Sequence, residues 1–143
     1  MRDILFRGKR KEHDFFGLGC EWVYGIPIRT HIGTFICFEE NPHYCGQYGY
    51  MEIEEISKVI PETVGQFTGL TDKNGNKIFE GDILRFYNGE EFSNYEVIWF
   101  GNAYKVLMEG EMEIQDDLDL FFCEHSEVIG NIHDNPELLE KKK

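Results

Sequence analysis

Two pairs of side chains have the composition of half a metal site: His43 with Cys45, and Cys123 with His125. Imidazole and thiolate are the ligands that a tetrahedral zinc ion takes, and residues two apart on a strand point to one face. Each pair therefore offers two ligands of four. The other cysteines, Cys20 and Cys37, complete no CxxC spacing, so neither a zinc ribbon nor a thioredoxin-type redox pair is written here. A free cysteine is by default a small buried apolar residue, so packing is the expectation for all four, with no metal, no cofactor and no disulfide. Cys123 and His125 also make a poor thiolate pair, because alternate side chains on one strand splay apart.

Asp72, Glu80 and Asp82 sit around successive turns and are close enough in sequence to converge on one cation. Tight turns ask for the same residues. Asp72 ahead of Lys73-Asn74-Gly75 suits an Asx-type bond onto the turn backbone, and Asp82 after Gly81 suits a second. Gly69, Gly75 and Gly81 fall six apart, where the chain needs a positive φ or a close backbone approach. Architecture is the expected role of all five motif residues. Patterns for other chemistry are missing: no GxxxxGK[ST] loop, GxGxxG, HExxH or GxSxG occurs, and Ser57, Ser93 and Ser126 have no glycine setting. The sequence reads as a protein that is not an enzyme.

The surface is more informative than the motifs. The 143 residues carry a formal charge of -13, which repels a polyphosphate backbone and makes nucleic acid an unfavoured partner. Residues 1–62 hold 7 basic and 10 acidic side chains, whereas 63–143 hold 7 and 17. Glu109, Glu111, Glu113, Asp116, Asp117 and Asp119 fall within eleven positions. They form either a solvated acidic loop or a docking surface for a basic partner. Phe86, Tyr87, Trp99 and Tyr104 have the composition of a base-stacking platform, yet such platforms sit in positive grooves, and only Arg85 and Lys105 lie nearby. Phe86, Trp99 and Tyr104, with Glu109, Glu111, Asp116 and Asp117, are accordingly the candidate residues for binding a protein. The one positive patch, Arg7, Lys9, Arg10 and Lys11, is the rival candidate for nucleic acid.

The elements that position these residues are strands. With 41% hydrophobic residues, 12 Phe, 7 Tyr and 2 Trp, the chain can bury a core. No apolar run approaches the ~18–20 residues of a membrane span, and the opening residues lack an apolar leader segment, so a cytoplasmic protein is expected. Strands are predicted at Asp3 to Arg7, closed by Gly8, at Glu21 to Ile26, stopped by Pro27, and at Thr34 to Phe38. Residues 39–50 read as a loop. From Val64 onward the pattern is a meander: Val64 to Gly69, the Asn74-Gly75 turn, Lys77 to Phe79, Ile83 to Tyr87, Tyr95 to Phe100, the Gly101-Asn102 turn, Ala103 to Met108, and Glu127 to Ile132. One helical turn is predicted within Asp117 to Phe122, and Asn135-Pro136 starts a short terminal helix over Glu137 to Glu140. Residues 1–62 and 63–143 are the expected subdomains.

The run from Thr68 to Leu84, the terminal run from Val128 to Leu139 and the opening Arg2 to Arg7 closely resemble the YopX family of phage and prophage proteins. The match depends on Gly69, Asp72, Gly75, Gly81, Asp82, Gly130, Asn131 and Pro136 within those runs. It covers both ends and the C-terminal half. Residues 12–60 align with nothing recognisable, and Gly8-Lys9-Arg10 departs from the family's opening. The resemblance implies a mainly β protein, with an SH3-like antiparallel barrel in the C-terminal half and a smaller β-rich or α+β N-terminal subdomain. It implies no established activity. The role expected is a phage-encoded accessory module that contacts another protein, or a second copy of itself, with an acidic inhibitor or DNA mimic as the alternative.

Overall fold

A computed structural model describes residues 3–10, 22–37, 43–45, 50–52, 56–111 and 113–140, the side chains of 43–45, 50–52, 114 and 115 apart. The protein is mainly β, with antiparallel sheets. In chain order the strands are β1 (Phe6–Lys9), β2 (Trp22–Thr30), β3 (Gly33–Cys37), β4 (His43–Cys45), β5 (Tyr50–Glu52), β6 (Ile56–Val59), β7 (Gly65–Thr71), β8 (Lys77–Phe79), β9 (Asp82–Tyr87), β10 (Phe92–Phe100), β11 (Ala103–Met108), β12 (Ile114–Asp117) and β13 (Ser126–Asn131). A short helix, α1 (Leu120–Glu124), precedes β13, and 3-10 turns occupy Pro61–Thr63 and Pro136–Leu139. The chain forms two compact units, Asp3–Gln66 and the stretch from Phe67 onward.

The first unit is ordered β6-β3-β2-β1, with Gly65 and Gln66 paired outside β1. Its core is Val23, Ile36 and Val59, with Phe6 and Val64 packed against them. Three features differ from the sequence pattern. Strand β1 begins later than expected and runs through Gly8, whose lack of a side chain suits the close approach of Val59, 3.1 Å from where a Cβ would stand. Strand β2 continues through Pro27 to Thr30. Only residues 22–25 of β2 pair with β1, whereas 26–30 pair with β3, so Pro27 has a strand on one side and its missing N–H breaks no ladder. The stretch 39–50, expected to be a loop, contains β4, which pairs with β5, His43 opposite Glu52.

The second unit holds a five-stranded sheet in the order β12-β11-β10-β9-β13. Alternation explains its core: Leu84, Val97 and Val106, on adjacent strands, have essentially no exposure, and Val97 stands opposite Val106. Each such side chain contributes on the order of 1.5–3 kcal/mol by leaving water. Part of the acidic run is strand here: β12 pairs with β11, Asp117 opposite Lys105 and Asp116 opposite Val106. Strands β12 and β13 lie at opposite edges, so the chain between them must cross the sheet. It crosses over the core face. The Leu118 N–H donates to the Tyr104 carbonyl at 3.1 Å, Asp119 caps α1 by accepting from the Phe122 N–H at 2.8 Å, and Phe122 stacks on Phe86 with centroids 4.6 Å apart. Helix α1 thus starts later than the sequence suggests, at the position its Asp cap selects. The terminal helix is a 3-10 turn begun at Pro136, and Asn135 makes no side-chain cap to it.

Candidate functional site

The turn and terminal motifs meet in the second unit. The Asp72 carboxylate accepts the backbone N–H groups of Asn74 and Asn76, each at 2.9 Å, and the Asn76 side-chain amide at 3.2 Å. It also accepts the N–H of Val128, 56 residues away, at 2.9 Å. One side chain therefore closes the β7–β8 turn and ties it to β13. Burial works to raise its pKa, but the four donated hydrogen bonds prevail and hold it below the usual carboxylate range. Asp82, almost fully buried, accepts from the Phe79 N–H at 2.7 Å. Gly69, Gly75 and Gly81 have φ of 88°, 82° and 89°. Gly81 stands at a crossing point: its N–H donates to Val97 and its carbonyl accepts from Ile132. Asn131 accepts from His133 and Asp134 through Oδ1 and donates to the Asp134 carboxylate, and a Cβ on Gly130 would overlap Asn135. These motif residues are occupied in holding the chain to itself.

The aromatic and acidic candidates separate into different places. Phe86 is half-buried, stacked on Phe122 and edge-on to Tyr95, so it is a core side chain and not a platform. Trp99 and Tyr104 meet edge to face, centroids 4.8 Å apart, beside the Gly101-Asn102 turn, with Trp99 52% exposed. Six residues of β10 separate that pair from the level of Phe86, roughly 20 Å at strand rise, so the three rings form no common surface. Phe100 beside Trp99, and Leu120 and Phe121 on the outward side of the crossing segment, are each more than half exposed. Among the acids, Glu109 accepts the Asn94 N–H at 3.2 Å, Asp117 pairs with Lys105, and Glu111 and Asp116 are exposed. Burial, then the charges of Asp116 and Glu109, raise the Tyr95 phenol pKa, which places both carboxylates near that ring. Glu96 stands opposite Ile83 and Leu107; its carboxylate makes no hydrogen bond or ion pair among the described residues, and burial raises its pKa.

The remaining candidates also change character. Arg7 is 7% exposed, with its guanidinium 4.7 Å from the Trp22 ring centroid, and Lys9 and Arg10 are half-buried. The basic run is drawn into the first unit's sheet, and Lys11 lies outside the described residues. Cys123 and His125 are not strand neighbours. Cys123 is buried on α1, its thiol pushed up to about 11 by burial first and nearby carboxylates second, while His125 is exposed and stacked on Phe121. The side chains of His43 and Cys45 and the whole of Cys20 lie outside the described residues. Among those described, no three His, Cys, Asp or Glu side chains are arranged to hold a metal ion, and no helix is long and apolar enough to cross a membrane.

A groove of about 480 Å³ opens beside the β9–β10 turn, lined by Arg85, Glu91, Phe92, Ser93, Asn94, Met108 and Glu109. No motif marks it in the sequence, because Arg85 and Asn94 become neighbours only through the β9–β10 register. The exposed Phe92 ring leans on Tyr87 at 4.9 Å beside it.

Comparison with known proteins follows the same division between clear architecture and silent surface. A family model described as YopX protein matches residues 21–140. The crystal structure of protein EF1440 from Enterococcus faecalis is similar to this chain, with a TM-score of 0.63 and 25% sequence identity, covering 98% of this chain and 100% of that one. No curated protein matches.

Proposed function

The chain belongs to the YopX family, and we propose that it is a phage- or prophage-encoded accessory protein that works without catalysis, by contacting another protein. The observation that carries this reading is the exposure of Phe92, Trp99, Phe100, Leu120 and Phe121 around a sheet whose own core is complete. Large aromatic side chains left in water on rigid elements are the anchors that protein interfaces favour. The motif carboxylates support it from the other side, since Asp72 is engaged by backbone donors rather than poised for chemistry. A second reading, an acidic inhibitor that occupies a basic groove, draws on exposed Asp116 and Asp117 along the edge strand β12.

Affinity capture from infected host cells separates the two. With the native chain and a Trp99→Ala/Phe100→Ser/Phe121→Ser variant as baits, a partner should be lost with the variant and retained by the native chain at 1 M salt (about 3 Å Debye length). Stability of the variant should stay within ~0.5 kcal/mol per surface site, checked by urea unfolding. A partner released by salt and competed by DNA indicates the acidic mimic, and equal capture by both baits overturns the aromatic reading.

A further inference from the structure

We propose that the groove beside the β9–β10 turn docks a peptide segment of the partner, with Arg85 taking a carboxylate and Phe92 with Met108 taking a neighbouring apolar side chain. The inference rests on the protein-contact reading and names the chemistry of the contact. Arg85 is exposed on β9 of a strongly acidic chain, and its guanidinium makes no hydrogen bond or ion pair among the described residues. Two of the nearby carboxylates are engaged elsewhere. Glu127, opposite it on β13, lies 3.6 Å from the Lys73 ammonium, and Glu109 accepts the Asn94 N–H at 3.2 Å. The Asn94 side-chain amide is itself fixed on the Leu138 carbonyl at 2.8 Å, so the groove wall is held by bonds that leave Arg85 available. The planar guanidinium fork matches the two oxygens of a carboxylate, as it would those of a phosphate.

The other wall determines what must carry the carboxylate. Glu91 and Glu109 line the same groove and repel a bare anion, so a ligand has to add apolar contact, which the Phe92 ring and the Met108 thioether offer. The groove is open to solvent on one side, and its volume of about 480 Å³ has room for a few side chains. An acidic residue next to a hydrophobic one in a peptide supplies both.

The test uses a blocked hexapeptide containing one aspartate between leucine and phenylalanine, its asparagine twin, and butyrate, titrated into the full chain and followed by NMR. The aspartate peptide should shift the Arg85 Nε–H and the Met108 methyl signals, and Arg85→Gln should weaken it at least about tenfold. Phe92→Ser should also weaken it, with the Val97 and Val106 methyl signals unchanged as the record of an intact fold. Equal binding of the asparagine twin, equal shifts from butyrate, or shifts confined to other residues would each overturn the proposal. If a captured partner persists with the Arg85→Gln bait but is lost with the Trp99/Phe100/Phe121 variant, the protein-contact reading stands and this groove does not.

Discussion

Asp72 and Glu96 belong to the same unit and carry the same charge, yet their surroundings treat them in opposite ways. Asp72 sits where the β7–β8 turn meets β13, and four donated hydrogen bonds make its charged form the favoured one. Glu96 stands between Ile83 and Leu107 in the sheet, its carboxylate without a hydrogen bond or ion pair among the described residues, and burial disfavours its charge. The corner is built from residues that look like a catalytic cluster and are consumed by structure. The sheet around β10 is built from residues with no motif, and it holds the unengaged groups: Glu96, Arg85 and the exposed rings of Phe92, Trp99 and Phe100. Recognisable sequence and available chemistry therefore lie in different parts of this protein.

Asp72→Ala should have the largest effect. It leaves several backbone N–H groups without their acceptor and cuts the link from the β7–β8 turn to β13, so unfolding free energy should fall by about 3 kcal/mol. Urea denaturation measures it, and a loss under ~1 kcal/mol would mean that water replaces the carboxylate. The pH dependence follows in sign. Because the folded state lowers the Asp72 pKa, its contribution is present above the ordinary Asp range and disappears as pH falls through the folded value. Asp72→Asn should accordingly be less sensitive to acid than the native chain.

Gly81→Val comes next. A β-branched residue at φ 89° is strained, and the backbone there cannot relax without releasing its bonds to Val97 and Ile132. A loss of about 2 kcal/mol is expected from thermal or urea unfolding, and a neutral result would remove the corner as a rigid element. The smallest effect, of opposite sign, belongs to Glu96→Gln. A raised folded pKa means that the cost of ionising Glu96 builds as pH rises above the ordinary Glu range, is complete above the folded value, and vanishes below that range. The variant should melt higher than the native chain at pH 7 and match it near pH 4. A melting point lowered at both pH values would show that Glu96 has a partner in solution.

Much of the second unit was legible from residue order. Asn74-Gly75 and Gly101-Asn102 mark turns because few other residues accept their backbone angles, and alternation in Ile83 to Tyr87 and Tyr95 to Phe100 marks strands. The role of Asp72 in its own turn was equally readable, since both partners lie within four residues. Its bond to Val128 was not, nor was the burial of Phe86 against Phe122, because each joins residues far apart in the chain.

Local physics, then, is what the sequence determines alone: which residues tolerate a positive φ, which side chains can cap the next turn, which faces of a strand are apolar, and the excess of negative charge. Those follow from each residue's own sterics and solvation and need no distant partner. Tertiary structure decided the rest. Pro27 lies inside a strand because β1 ends before it reaches that position. Arg7 is buried because β1 carries it over Trp22. Arg85 is left without a carboxylate because register and neighbouring bonds direct Glu127 and Glu109 elsewhere. Pairing energy across strands depends on what stands opposite, and composition does not contain that information until the register is set.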